Sequence, residues 1–193
     1  FLPLIPGVEV LPFNDAKALL SVLDDSFCAV ITEVVQGEGG LTSMTPHFAE
    51  TLSGLCREKD CLLIADEVQT GFGRTGNLFA YESVGLVPDM VTLAKPLAGG
   101  LPLAAVLLPE KLQELLKPGD HGSTFGGGPV QSAVALEVIN ILSAPSFLEE
   151  TKKKGDLLFK ELSGLAEKCS IAEGVRGKGI LLGISIKTEG ETP

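Results

Sequence analysis

Two apolar runs, Cys61-Leu-Leu-Ile-Ala-Asp66 and Met90-Val-Thr-Leu-Ala-Lys95, constrain this chain more than any other feature. Each has strand length, and each closes on a charged residue for which a buried strand has no structural use. Apolar runs of this kind, separated by turn-rich crossovers, read as parallel strands covered on both faces. In an open parallel sheet the ligand sits in the crevice beyond the carboxyl ends of the strands. An acid and an amine delivered to that edge, 29 positions apart in the chain, can face one ligand from neighbouring strands.

The rest of the chain alternates in the same way. Asn14 or Asp15 can cap a helix reaching residue 23. A first strand is expected over 28–35, followed by a tight turn built on Gly37, Gly39 and Gly40. Thr45 before Pro46 marks a helix start, with proline at the first helical position and the helix running to 59. The two constraining runs give strands over 61–68 and up to Lys95, with a short amphipathic piece over 78–84 between them. Beyond them come a strand over 103–108, a short helix over 110–116 and a glycine-rich loop over 117–128. An apolar helix over 129–142 and a charged amphipathic one over 146–168 follow. A strand over 180–186 is expected after Val175-Arg-Gly-Lys-Gly179, and the remaining tail over 188–193 is polar. Alternating strands and helices give the α/β class with a mostly parallel sheet. The long helix from residue 146 is placed to carry the chain out of that sheet.

At 193 residues, 45% of them hydrophobic, the chain can bury a real core. A formal charge of −10 with no basic run excludes nucleic acid and anionic membrane as main partners. No apolar stretch approaches spanning length, and Phe1 opens without a charged segment, so no signal peptide is expected on this chain. The four cysteines are Cys28, Cys56, Cys61 and Cys169. Cys28 and Cys61 start expected strands and are read as buried free thiols. Neither His47 nor His121 stands at ligand spacing from a cysteine, so no zinc site is expected. Free thiols favour a reducing intracellular compartment.

A lysine and a carboxylate at one sheet edge suit pyridoxal phosphate, which is held as a Schiff base while its ring nitrogen needs an acidic partner. At this point four blocks carry a resemblance. Ile64-Ala-Asp-Glu-Val-Gln-Thr-Gly-Phe-Gly-Arg-Thr-Gly76 and Thr92-Leu-Ala-Lys-Pro-Leu-Ala-Gly-Gly100 resemble the class III (ω-amino acid) aminotransferases. Glu33-Val-Val-Gln-Gly-Glu-Gly-Gly40 and Gly119-Asp-His-Gly-Ser-Thr-Phe-Gly-Gly127 resemble two further blocks of that family, in its order and spacing. The last block is similar to the acetylornithine and ornithine branch. The resemblance implies a fold-type I large domain over 1–145 and the start of a small C-terminal α+β domain over 146–193. It also implies an obligate homodimer with shared sites.

The residue roles it implies are these. Lys95 attaches the cofactor, and in a dry pocket beside a cationic ring its free amine becomes a usable nucleophile and base. Asp66 bonds the ring nitrogen. From the residues alone Glu67 is an equal candidate, since strand alternation sends the two acids to opposite faces, and the resemblance selects Asp66. Val68 packs against the ring and Gln69 donates to its hydroxyl. Ser123 and Thr124 belong to a phosphate loop, with Thr124 reaching the neighbouring subunit's cofactor. Glu38 matches the family's switch glutamate on the substrate side, near Glu33. Val34 and Gly128 depart from the family pattern, which usually has proline and asparagine there.

Gly71-Phe-Gly-Arg-Thr-Gly76 also fits the dinucleotide pattern G-x-G-x-x-G. That fingerprint needs a long helix and an acid ending the next strand. Here only a short helical piece follows, and Asp89 precedes its strand. The expected function is transamination from an ω-amine such as N-acetylornithine to 2-oxoglutarate, in arginine biosynthesis. The alternative is an incomplete or inactive aminotransferase-fold fragment serving as a structural or interaction subunit. The resemblance places this chain in the middle of the family's subunit, without the ring-stacking aromatic and the substrate arginines.

Overall fold

The computed structural model describes residues 5–187; residues 1–4 and the polar tail over 188–193 lie outside the described residues. A four-stranded sheet organises the chain, in the order β1 (Ala29–Glu33), β4 (Leu62–Asp66), β5 (Met90–Leu93), β6 (Ala105–Leu107). The first three strands run parallel, and β6 is antiparallel to β5. The parallel register requires a crossover between β1 and β4, and α2 (Pro46–Glu58) provides it. Its start is set locally: Pro46 opens the helix, and Thr45 Oγ1 accepts the Phe48 N–H at 3.2 Å. α1 (Ala16–Val22) is capped in the same manner, with the Asp15 carboxylate accepting from Lys17 N and Ala18 N.

These helices bury one face of the sheet. Phe48, Ala49, Leu52 and Leu55 of α2 pack with Leu19, Leu23, Leu63 and Ala65 in one cluster. Val91 and Leu93 join Phe72, Leu97, Ala98 and Ala135 in a second, the last residue coming from α4 (Pro129–Leu142). Each large side chain removed from water here contributes roughly 1.5–3 kcal/mol. On the opposite face, Ile31 and Val106 remain 63% and 53% exposed.

The fold class is as the sequence reading expects, and several element bounds differ. The strand expected over 28–35 stops at Glu33. Val34 is buried as a break, and β2 (Val35–Gln36) turns away to pair antiparallel with β3 (Thr42–Ser43). Gly37 to Gly40 close that hairpin, and Gly40 takes a φ of 77° that favours glycine. The run over 61–68 is strand only to Asp66. Cys28, read as buried, is exposed because it precedes the first paired residue of β1; Cys56 and Cys61 are buried. Val175-Arg-Gly-Lys, read only as the stretch before the last strand, belongs to a further strand, β7 (Ala172–Lys178), which forms a hairpin with β8 (Leu181–Ile186). Its glycines conceal the strand pattern, because glycine lacks the side chain that alternation is read from.

The dinucleotide-like loop has a packing role. α5 (Pro145–Glu167) lies across it: a Cβ on Gly73 would meet Leu148 at 3.0 Å, and one on Gly76 would meet Lys152 at 3.4 Å. The β7–β8 turn presses in from the other side, where a Cβ on Gly179 would stand 2.6 Å from the Thr75 backbone and one on Gly155 2.7 Å from Gly179. Three backbone segments meet there because glycines leave room for them. The loop is thereby the seat on which α5 and the β7–β8 hairpin rest against the sheet.

Candidate active site

Asp66 is the last residue of β4, and its carboxylate is oriented by two donors. Thr92 Oγ1, directly opposite on β5, donates to Oδ1 at 3.1 Å, and the Val68 N–H donates to the same oxygen at 3.0 Å. Engaging one oxygen this way leaves the other for a further donor. Asp66 is half-buried at the sheet's carboxyl edge.

The neighbouring acid points the other way, as strand alternation requires. Glu67 is 0% exposed. It accepts Thr70 Oγ1 at 2.5 Å and the Tyr81 N–H at 2.9 Å. Tyr81 lies in a 3-10 helix over Ala80–Val84. Burial pushes the Glu67 carboxyl above its ordinary value, and the hydrogen bonds from Thr70, Ala80 and Tyr81 offset part of that. Glu67 is therefore held away from the edge that Asp66 reaches.

Lys95 is in the turn that follows β5, three residues past Thr92. The extended chain covers at most about 11 Å over three residues, so the Lys95 backbone stays close to Asp66's partner. The Leu97 N–H donates to Ala94 O at 2.8 Å, which turns the chain immediately at the strand end. Lys95 is exposed. The dry pocket expected around it is not formed by the described residues, because the turn carries it out past the last paired strand residues.

On the other side of Asp66, Glu33 ends β1 in direct register with it. Neighbouring strands are about 4.8 Å apart, so the two carboxylates share one face of the sheet at close range. Glu33 accepts the Gly37 N–H at 3.2 Å, which fixes the start of the β2–β3 hairpin. Gly37 lies against Gln69: a Cβ there would fall 2.4 Å from the Gln69 amide. Gln69 is thus brought to the same corner as Glu33 and Asp66, and Val68 is half-buried in the turn beside them. Glu38 is exposed at the hairpin tip.

Ser123 and Thr124 are exposed in the loop before α4, and the described residues make no hydrogen-bonded link from them to Asp66. Sequence reasoning missed Thr92 and Gly37. Thr92 had a signal, as a hydroxyl in an otherwise apolar run; Gly37 was noted only as a turn former. Two cavities lie away from this edge. One, at the amino end of β4, is lined by Cys56, Cys61, Asp89 and Lys111, and the other runs between α1, α2 and β1. In the first, burial pushes the Cys56 thiol up to about 12, leaving it unreactive. Among the described residues no cluster of metal-ligating side chains occurs, and no single helix is long and apolar enough to cross a membrane.

Comparison with known proteins places the geometry in a family. A family model described as aminotransferase class-III matches residues 5–192. The chain is 44% identical over 189 residues to the acetylornithine aminotransferase of Caldanaerobacter subterraneus subsp. tengcongensis, covering 98% of this chain and 48% of the relative. It is 47% identical to a probable mitochondrial acetylornithine aminotransferase of Dictyostelium discoideum, covering 95% of this chain and 42% of that one. Among solved structures, an ornithine aminotransferase of Toxoplasma gondii crystallised with oxidised glutathione superposes with a TM-score of 0.91 at 36% identity. That match covers 97% of this chain and 45% of the other, whose active site is partly occupied by PLP. The chain spans about half the length of the curated relatives it matches.

Proposed function

This chain belongs to the class-III aminotransferase family, and from that premise we propose that it carries the cofactor corner of a pyridoxal-phosphate transaminase. The proposed reaction moves an amino group from an ω-amine donor to 2-oxoglutarate. N-acetylornithine is the donor we favour, since acetylornithine aminotransferases recur among the relatives, and arginine biosynthesis would then be the setting. The observation that carries the reading is Asp66: a half-buried carboxylate with one oxygen fixed by Thr92 and Val68, one strand away from the run that ends at Lys95.

The donor set fits the cofactor. Asp66 and Glu33 put two carboxylates on one face with no ion pair to either among the described residues, which suits a cationic ring nitrogen. When bound, pyridoxal phosphate supplies a ring that draws electrons from the substrate carbon. Asp66 holds the proton on the ring nitrogen, and its fixed oxygen keeps the carboxylate from turning away. Lys95 would hold the cofactor through Nζ, and a free Nζ at that position would move the proton at the substrate carbon. Gln69, set against Gly37, donates toward the ring hydroxyl, and Val68 covers the ring's face. Glu38, on the hairpin tip, stands on the substrate side with Glu33 below it.

Ser123 and Thr124 offer hydroxyls and glycine-rich backbone for a phosphate. Their exposure supports a site completed by a second copy of the subunit, hence a homodimer. We assign residues 1–145 to the cofactor-binding domain and 146–193 to the start of a smaller one. Four free thiols support a reducing compartment, cytoplasm or an organelle matrix. The test is a coupled assay of the full-length protein with pyridoxal phosphate, 2-oxoglutarate, and N-acetylornithine or ornithine. Glutamate formation with N-acetylornithine in excess of ornithine is expected. Failure with every ω-amine would favour an inactive structural subunit.

A further inference from the structure

We propose that Glu67 is a positioning residue for Asp66: it ties the turn that follows Asp66 and bears Val68 and Gln69 to the 3-10 helix over Ala80–Val84, and so sets how Asp66's second oxygen meets the ring. The proposal rests on the reading of Asp66 as the ring-nitrogen acid.

A carboxyl taken fully out of water without a cation is costly, and a few hydrogen bonds recover only part of that cost. Glu67 is such a group: 0% exposed, with no ion pair to it among the described residues. Its Oε1 reaches the backbone of Tyr81, whose ring stacks on Phe79 at 5.6 Å, and Phe79 in turn meets Phe72 edge-on at 5.8 Å. A residue that served only to fill this space would be apolar. Glu67 instead joins two segments. Oε2 accepts from Thr70, in its own turn, and Oε1 accepts from Tyr81, fourteen residues on. The turn is closed by the Gly71 N–H, which donates to Glu67 O at 3.0 Å.

Glu67 also completes a ring of bonds through Asp66. The Glu67 N–H donates to Thr92 O at 3.0 Å, while Thr92 Oγ1 donates to Asp66 Oδ1 at 3.1 Å. One threonine therefore grips the 66–67 stretch through both its backbone and its side chain. Freeing the Glu67 side chain lets the 67–71 turn rotate, and rotation there swings the Val68 N–H off Asp66. The two acids divide the work: one meets the ligand, and the other fixes the backbone on which the first is mounted.

The titratable groups facing Glu67 are Glu82, whose charge raises it further, and Tyr81, itself raised by burial first and then by both acids. A carboxyl raised in the fold contributes stability that is fully present below its unfolded value. That contribution is lost as pH rises through the folded value. The window opens at the ordinary glutamate value of 4.5 and extends upward. Glu67→Gln keeps an acceptor for Tyr81 and a polar group for Thr70 but does not ionise. Its melting temperature should therefore vary less with pH across that window than the wild type's.

The experiment uses the full-length, cofactor-loaded protein and three variants: Glu67→Gln, Glu67→Leu and the milder Thr70→Val, which is expected to fold even where Glu67→Leu does not. The readouts are the absorption band of the bound cofactor against pH, the split between kcat and donor KM, and amide exchange over 68–71 in the cofactor-free protein. Loss of the anchor should lower kcat by about ten-fold or more, as expected for a misaimed group, with KM within about two-fold. It should also shift the pH dependence of the band and speed exchange, and Glu67→Gln should restore all of these. Asp66→Asn is run beside them. Should Asp66→Asn alter neither band nor turnover, the reading of Asp66 fails and the proposal falls with it. Should Asp66→Asn act while Glu67→Leu and Thr70→Val change only the melting temperature, or Glu67→Gln not rescue, the proposal alone is overturned.

Discussion

On one face of the four-stranded sheet Leu63, Ala65, Val91 and Leu93 are buried under α2, α4 and their neighbours, and Glu67 is buried just past the end of β4. On the other, Ile31 and Val106 stand more than half exposed in the same sheet as Glu33, Asp66 and Thr92. Asp66 and Glu67 differ by one carbon and one position, yet the pleat sends them to opposite environments. On the buried face a polar group must find every partner inside the protein, and Glu67 has done so. On the open face a group can keep an oxygen in reserve, and Asp66 keeps one. The difference teaches that chemistry and support are distributed by strand parity, with each carboxyl's surroundings fixing its task more than its chemical type does.

The comparison makes graded predictions. The largest effect is expected at the open edge: Lys95→Ala in the full-length protein should lower turnover by roughly a thousand-fold or more, because it removes the amine that reacts. Its melting temperature without cofactor should stay near wild type, since Lys95 is exposed. Asp66→Asn follows, with kcat falling about a hundred-fold, a magnitude typical of losing one preorganised electrostatic contact. Cofactor occupancy, read from absorbance, should fall far less. Equal losses in occupancy and turnover would break the assignment of an electronic role to this face.

Much of this layout was readable in the residues. The runs ending at Asp66 and Lys95 were legible as parallel strands because they are continuously apolar and their charged ends had no other use. The second covered face that such runs imply is incomplete, with Ile31 and Val106 exposed there. Thr45-Pro46 and Asp15 marked their helices, since capping chemistry is local. What stayed hidden depends on contacts between distant segments. Nothing at Gly37 announces that Gln69 will lie against it. The glycines of Gly71 to Gly76 suggest a ligand loop until α5 and Gly179 are seen to occupy the space a Cβ would need. The antiparallel turn of β6 was equally obscure. It comes from hydrogen-bonded turns between 94 and 101 that bring the chain straight back without a crossover helix. At the candidate site the orientation of Asp66 was invisible, because it depends on Thr92 one strand away.

Smaller effects test the buried face. Leu63→Ala, at 1% exposure, should cost about 2–5 kcal/mol by chemical denaturation through cavity formation, with kcat of the folded fraction unchanged. A selective loss of kcat there would show that support and chemistry are not separable by face. Thr45→Ala removes only the cap of α2 and should cost about 1 kcal/mol. Last, Glu149→Gln breaks the exposed 2.7 Å pair with Lys153 on α5 and should change stability by under about 0.5 kcal/mol.

The central claim is that the amine in the turn after β5 and the acid ending β4 hold the same ring. Borohydride reduction of the full-length protein loaded with pyridoxal phosphate, followed by mass mapping of its peptides, tests this most directly. A single modified peptide containing Lys95 is predicted, with labelling much reduced in Lys95→Ala. A label on another lysine, or equal labelling of the variant, would contradict it.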